Sequence, residues 1–316
     1  MFDLKLGFKC NNNCIHCVVA NKRSAGMLSL EEIEKIILKI PRGEEIQLTG
    51  GEPSIHPQLK EILKICNDNN HPVVMQTNGT GFSDLNLLNS CAPYINHIHI
   101  AIHSSCPQIH DDIVQQKGMW NKTIQGFENL INYQKEKKPS LCITTQTVLS
   151  RKNIPTLYDT FTFIQKMLPG TCMSMTFPHI MGNAWNNRKS IIFRYSEYKE
   201  EIQKTLKAYK DYIFTEAIPP CYLYPYHREV YTAEKDLMID FLSGHHTRVG
   251  VDFSDFMGEK DYCLLDLGSH KKAPLCLKCD LYNECVGVWE EYIDLFKDKL
   301  DLYPIKEKRE KNENSV

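Results

Sequence analysis

At 316 residues with a formal charge of −2, the chain can hold one large barrel-type domain or two domains with real cores, and its overall charge gives no strong attraction to nucleic acid or an anionic membrane. Its N-terminus lacks the charged-then-apolar order of a secretory signal and no apolar run approaches a membrane span, so a cytoplasmic protein is expected. Thirteen cysteines in a reducing compartment point to metal or redox chemistry rather than disulfides.

Taken in order, the sequence alternates strands and helices. A strand over 4–8 runs into a cysteine loop. Ser29-Leu30-Glu31-Glu32 is a capping box that opens a helix carrying Ile33, Ile36, Ile37 and Ile40, stopped by Pro41. Strands are expected over 45–49, 72–76, 95–102, 141–149 and 173–177. Their ends carry Gly50-Gly51-Glu52-Pro53, Thr77-Asn78-Gly79, His103-Ser104, Ser150 and Pro178-His179 in turn. Helices after Pro57 and over 85–90, 122–135 and 154–167 separate them. Six such units imply a parallel α/β sheet with helices outside, as a partial (β/α)6 TIM-type barrel. The conspicuous residues fall at the carboxyl edge, where parallel sheets bind ligands. Tyr195, Tyr198, Ile202, Leu206, Tyr209 and Ile213 recur at helical spacing, so 189–216 reads as a long helix broken by Pro219-Pro220. Residues 222–262 show little periodicity. The division expected is a core barrel over 1–185, a helical linker and unassigned segment over 186–262, a cysteine-rich domain over 263–303 and a charged, disordered tail over 304–316.

Cys10, Cys14 and Cys17 sit at spacings of four and three, with Asn11-Asn12-Asn13 between the first two. That run favours a turn, so the thiols belong on a loop wrapped round a metal centre with one open position. Cys66, Cys91, Cys106, Cys142 and Cys172 lie in apolar contexts and read as small buried hydrophobes.

The Cys10/Cys14/Cys17 pattern, followed by Gly50-Gly51-Glu52-Pro53 on the next strand, resembles the radical S-adenosylmethionine (radical SAM) superfamily over residues 4 to about 185. The resemblance implies a [4Fe-4S] cluster on the three thiolates, its fourth iron chelated by S-adenosylmethionine. One electron, from a donor such as flavodoxin or ferredoxin, then yields a 5′-deoxyadenosyl radical. It further implies that Gly50, Gly51 and Glu52 meet the amino group of S-adenosylmethionine, and that Asn78, His103 and Ser104 line its pocket or the substrate's. Gln146 is a weaker candidate of the same kind. His16 stands where the family usually carries an aromatic residue; its ring can pack there and its backbone can reach adenine. No catalytic residue is assigned, and His179 reads as structural.

Cys276, Cys279 and Cys285 resemble the auxiliary-cluster segment of the SPASM and twitch families. The further cysteine of the full SPASM run is replaced by Trp289, which implies a reduced, twitch-like domain with a second [4Fe-4S] cluster. Its fourth ligand is Cys263, Cys221 or neither, and structural zinc is the alternative. The expected activity is hydrogen abstraction from a peptide or protein substrate, with a separate peptide-recognition partner allowed for. A small-molecule substrate is the alternative, and a non-catalytic electron carrier or zinc scaffold the alternative of another class. No nucleic acid or membrane partner is expected.

Overall fold

The computed structural model describes residues 1–232, 249–251, 263–264 and 270–306, with the side chains of 231, 249–251 and 263–264 outside that description. Ten strands form one sheet: β1 (Phe2–Lys5), β2 (Ile46–Thr49), β3 (Val73–Thr77), β4 (His97–Ala101), β5 (Cys142–Val148), β6 (Met173–Thr176), β7 (Ile213–Glu216), β8 (Tyr231–Thr232), β9 (Val249–Val251) and β10 (Cys263–Leu264). β1 to β8 lie side by side in chain order, β9 joins the free edge of β1, and β10 joins β9. Among the described residues, every pairing within this sheet is parallel except β9 with β10. The sheet is open, as a partial barrel requires. Among the described residues no helix is long and apolar enough to cross a membrane.

The crossovers are α1 (Leu30–Ile37), α2 (Leu59–Asp68), α3 (Leu85–Cys91), α4 (Pro107–Val114), α5 (Met119–Glu136) and α6 (Leu157–Met167). Both halves of the capping box that starts α1 are made: Ser29 Oγ accepts from Glu32 N at 3.3 Å, and Ser29 N donates to Glu32 Oε2 at 2.7 Å. Side chains alternate across each strand. Ile46, Leu48, Met75, Ile98, Ile100 and Ile143 face the helices and are buried with Ile33, Ile62, Leu63, Phe127 and Phe161. The other face is polar and half-buried, with Lys5, Gln76, His99, Gln146 and Glu216 at alternate positions. A closed eight-stranded barrel fills that face with bulky branched residues; here it offers hydrogen-bonding groups instead.

Several expectations are corrected. The long helix over 189–216 is only Lys199–Tyr209, and Ile213 opens β7. Ile213 continues the helical stripe in sequence, but its partner in space is Met173 of β6. The sheet therefore runs on past residue 185, and β8 and β9 come from the segment left unassigned. Residues 304–306 are not a free tail: Ile305 is buried and its carbonyl accepts from Asp280 N at 3.0 Å. Residues 307–316 lie outside the described residues. Cys66 and Cys91 are buried as expected, whereas Cys106 is half-buried and Cys142 and Cys172 are exposed at the amino ends of β5 and β6.

Asn153 ties the carboxyl ends of β4 and β5 together. Buried beyond β5, it donates through Nδ2 to His103 O and Val148 O, both at 2.9 Å, and accepts from Ser150 N at 2.8 Å and Ser150 Oγ at 2.9 Å. Asn153→Ala strands these buried groups, at about 1–3 kcal/mol for each group left unpaired. A loss of about 3 kcal/mol is expected in urea denaturation of the metal-free protein, and a change below about 0.5 kcal/mol contradicts the account.

Candidate metal and cofactor site

The cysteine loop is held by backbone fit on two sides. On one side β2 runs into it: Gly51 N donates to Gly7 O at 2.8 Å and Glu52 N to Lys9 O at 2.9 Å. A Cβ on Gly51 would stand 2.0 Å from Lys9 O, so only glycine lets the two segments meet. Gly50 meets the same segment, where a Cβ would stand 2.3 Å from Gly7 O. On the other side the segment after β6 closes over the thiols. Asn183 N donates to Cys17 O at 2.9 Å, Asn183 Nδ2 to Cys14 O at 2.9 Å and Asn13 Oδ1 at 3.2 Å, and Asn187 Nδ2 to Ile15 O at 3.0 Å. Gly182 approaches so closely that a Cβ would lie 2.6 Å from Cys17 O. From below, Asn13 N and Ile15 N donate to the last carbonyls of α4, Val114 O and Ile113 O, both at 2.9 Å.

The three asparagines do different work. Asn11 Nδ2 donates to Thr80 Oγ1 at 2.8 Å and Asn11 Oδ1 accepts from Asn78 Nδ2 at 2.7 Å. Asn12 N donates to Cys10 Sγ at 3.4 Å, while its buried side-chain amide has no protein partner. Asn13 takes the bond from Asn183.

Most side chains expected to touch the cofactor are engaged within the chain. Glu52 is buried; Oε1 accepts from Ser54 N at 2.9 Å and Thr77 Oγ1 at 2.6 Å, and Oε2 from Asn78 N at 2.7 Å. Burial pushes its carboxyl pKa up and these bonds oppose that. Glu52 thereby pins the end of β3 to the end of β2. Asn78 Oδ1 accepts from Thr80 N at 3.0 Å, so its amide positions the cysteine loop and its own turn. Ser104 Oγ accepts from Cys106 N at 3.1 Å. Gln146 faces Ser174 in register, with Nε2 at 3.5 Å from Thr176 Oγ1.

The histidines do converge. His16 and His103 meet edge to face with ring centroids 4.7 Å apart, and His103 stacks on His110 at 5.6 Å. Possible ligand atoms of Cys14, His16 and His103 lie within 4.8 Å of one another. Burial holds all three imidazoles neutral, with the pKa values of His16 and His110 pushed down to about 4. Burial also raises the Cys10 thiol to about 11, with Glu52 and Cys17 adding to the rise, and raises Cys14, with Cys10 and Cys17 adding to it; Arg23 opposes both. A multivalent iron centre supplies the positive charge that favours the thiolates.

Five buried polar atoms without a protein partner gather around these thiols: Asn12 Oδ1 and Nδ2, His16 Nδ1, Arg23 Nε and His110 Nε2. Such atoms cost about 1–3 kcal/mol each unless something satisfies them. Three thiols bounded by unpartnered donors and acceptors fit an iron–sulfur cluster with a polar, charged cofactor beside it. Arg23 carries no recognisable motif in the sequence, whereas Asn12 lies between the first two thiols of the cysteine motif.

A second thiol group forms away from this loop. Cys221, Cys276, Cys279 and Cys285 line one pocket, closed by Pro219, Tyr303 and Ile305. Backbone N–H groups already point at two of the sulfurs: Gly287 N to Cys285 Sγ at 3.3 Å and Ile305 N to Cys279 Sγ at 3.4 Å. Burial raises the Cys221 thiol to about 12, with the three other cysteines adding to the rise. The fourth thiol at this pocket is Cys221; the side chain of Cys263 lies outside the described residues. Trp289 packs between two imidazoles, His179 beyond β6 at 4.3 Å and His270 at 4.0 Å between centroids, and so joins the cysteine-rich segment to the sheet edge.

The model of the family "Radical SAM superfamily" matches residues 4–164, just over half of the chain. The AdoMet-dependent heme synthase of Methanosarcina barkeri is 28% identical over 162 residues, 50% of this chain and 45% of that protein. The mycofactocin maturase MftC of Mycobacterium ulcerans is 25% identical over 129 residues, 40% of this chain and 35% of that protein. In both cases the match spans less than half of the relative's own length. The structure of Streptococcus suis SuiB bound to its precursor peptide SuiA shares the fold, with a TM-score of 0.61 at 13% identity over 96% of this chain and 74% of that one.

Asn183→Asp replaces the amide donor facing Cys14 O by a carboxylate of the same shape. With Cys276 and Cys279 replaced by Ala, so that only the N-terminal site holds iron, this change is expected to lower the iron retained after anaerobic desalting at least about threefold, roughly 0.65 kcal/mol at RT ≈ 0.59 kcal/mol. Unchanged iron content would show that the latch does not support the metal.

Proposed function

Because this chain belongs to the radical SAM superfamily, we propose that it is an enzyme that abstracts hydrogen from a peptide or protein substrate. The observation that carries the radical reading is the set of three thiols Cys10, Cys14 and Cys17 on a loop clamped from both sides, with buried, unpartnered polar atoms of Asn12 and His16 on that loop and of Arg23 and His110 on neighbouring helical turns. These three thiols would hold a four-iron cluster, and Asn12, His16, Arg23 and His110 offer bonds to the cofactor beside it. When bound, the cluster and S-adenosylmethionine supply a 5′-deoxyadenosyl radical by one-electron cleavage of the sulfonium. The chain's own residues fix the loop, keep the neighbouring imidazoles neutral and exclude water through the buried ends of β2 to β4.

The peptide reading is supported by two likenesses, to a mycofactocin maturase and to the fold of an enzyme solved with its precursor peptide. The polar, half-buried face of the sheet, with Lys5, Gln76, Gln146 and Glu216, offers both hydrogen-bond donors and acceptors to such a substrate. The likeness to a heme synthase favours the second reading, a small-molecule substrate. The four thiols of Cys221, Cys276, Cys279 and Cys285 would hold a second four-iron cluster within a small C-terminal unit. Backbone N–H bonds to sulfur suit such a cluster and suit zinc equally.

Anaerobic reconstitution followed by metal analysis tests both sites. Iron is expected at both, with Cys221→Ala halving the iron content and Cys263→Ala leaving it unchanged; zinc without iron would sink the radical reading. Dithionite with S-adenosylmethionine is expected to give 5′-deoxyadenosine, and Cys14→Ala to abolish it.

A further inference from the structure

At the amino edge of the sheet, opposite the end that carries the cysteine loop, four metal-ligating side chains surround one threonine. Thr144 of β5 lies on the polar face, and its Oγ1 is bonded by two imidazoles of β4, His97 Nε2 and His99 Nδ1, both at 2.6 Å. The strand register brings two thiols to the same face. Cys142 is across from His97, and Thr144 across from His99. Thr145 pairs with Met173, which sets Cys172 across from Thr144. Side chains two apart on a strand share a face. Cys142 therefore stands one step below Thr144, His99 and Cys172 flank it, and His97 lies on the diagonal.

Both cysteines are exposed, although cysteine is among the most buried residue types. Partial burial against the strand raises the Cys142 thiol, and Cys172 adds to the rise, so the two sulfurs are close enough to feel each other's charge. Burial keeps both half-buried imidazoles neutral, with His99 pushed down to about 4. Two neutral imidazoles and two thiols are the donors of a tetrahedral zinc site. Because the Thr144 hydroxyl donates to one ring and accepts from the other, both rings are already turned to one point. The thiols reach that point by rotation about Cα–Cβ, which side chains exposed at strand ends allow. Adjacent strands are about 4.8 Å apart, so side chains on three of them can share an ion held about 2.0–2.3 Å from each donor. None of the four lines the second thiol pocket.

We propose that His97, His99, Cys142 and Cys172 form a zinc-binding site that fastens β4, β5 and β6 together at the amino edge of the sheet. It stands independently of the radical reading. On binding, the imidazoles exchange their bonds to Thr144 for bonds to zinc, and each thiol gives its proton to solvent and ligates as the thiolate. Two thiolates balance the charge of the divalent ion, and no electron moves. Four protein donors leave no open position, so the ion is structural.

The test uses the full chain, reconstituted anaerobically with iron and kept reduced, and zinc as the probe. After desalting, about one zinc per chain is expected beyond the iron, with a higher thermal midpoint than the zinc-free protein. Cobalt(II) in place of zinc is expected to give the intense visible bands of a tetrahedral thiolate site. Cys142→Ser and His97→Asn are each expected to weaken zinc binding at least about tenfold, a loss that even an outer partner of a ligand commonly carries. Iron content stays at the wild-type level in both, and the exposed position of Cys142 lets its replacement fold. Should iron not load and zinc fill the other thiol sites, the same variants still lower the zinc count by about one. The proposal is overturned by a wild type that retains no such zinc, by zinc that enters only as iron is lost, or by zinc held equally well in both variants.

Discussion

The rest of the structure depends on one steric constraint, the space in which the cysteine loop is seated. The loop passes so close to β2 that the chain must lack a side chain at Gly51, and so close to the segment after β6 that it must lack one at Gly182. Backbone amides then fill both contacts with hydrogen bonds. A short loop rich in asparagine has little intrinsic order. Here its shape is imposed by elements separated by more than a hundred residues in sequence, so the thiols are correctly placed only when β1, β2, β6 and α4 have assembled. That couples metal loading to completion of the sheet and is consistent with a site that cannot preform in the unfolded chain.

Behind this seat is a layer of polar side chains that bond to the chain rather than to a ligand. Glu52 joins β2 to β3, Asn78 joins β3 to the cysteine loop, and Asn153 joins β4 to β5. Parallel strands end in unpaired backbone groups at this edge, and each of these residues satisfies some of them. The polar atoms near the thiols that remain buried and unpartnered belong to Asn12, His16, Arg23 and His110, of which His16 is also among the residues the resemblance implies.

Much of the architecture is legible in the sequence. The alternation of β-branched runs with helix-period stripes gives the first six strand positions, and the capping box at Ser29 marks the start of α1. The seventh strand is hidden because Ile213 falls in step with the apolar stripe of Lys199–Tyr209, and four residues are too few to show a period of two. The three N-terminal thiols announce themselves by spacing. Spacing leaves Cys221 as one of two candidates beside Cys263, since it lies more than fifty residues before Cys276 and only the folded chain brings it to the same pocket. Arg23 is invisible for a related reason: a lone basic side chain on a helical turn is commonplace until its burial and missing partner are known.

Trp289 stands where a full auxiliary-cluster segment would place another cysteine, and it packs between His179 and His270. A thiol at that position is too small to bridge the two imidazoles, and the indole cannot ligate iron. The residue is therefore a fork between two designs. In one, the C-terminal segment gains a metal ligand and attaches to the sheet by other means. In the other, realised here, it gives up that ligand and is fastened to the edge of the sheet by stacked rings. The stacked rings thereby help to set where the second thiol group lies relative to the sheet.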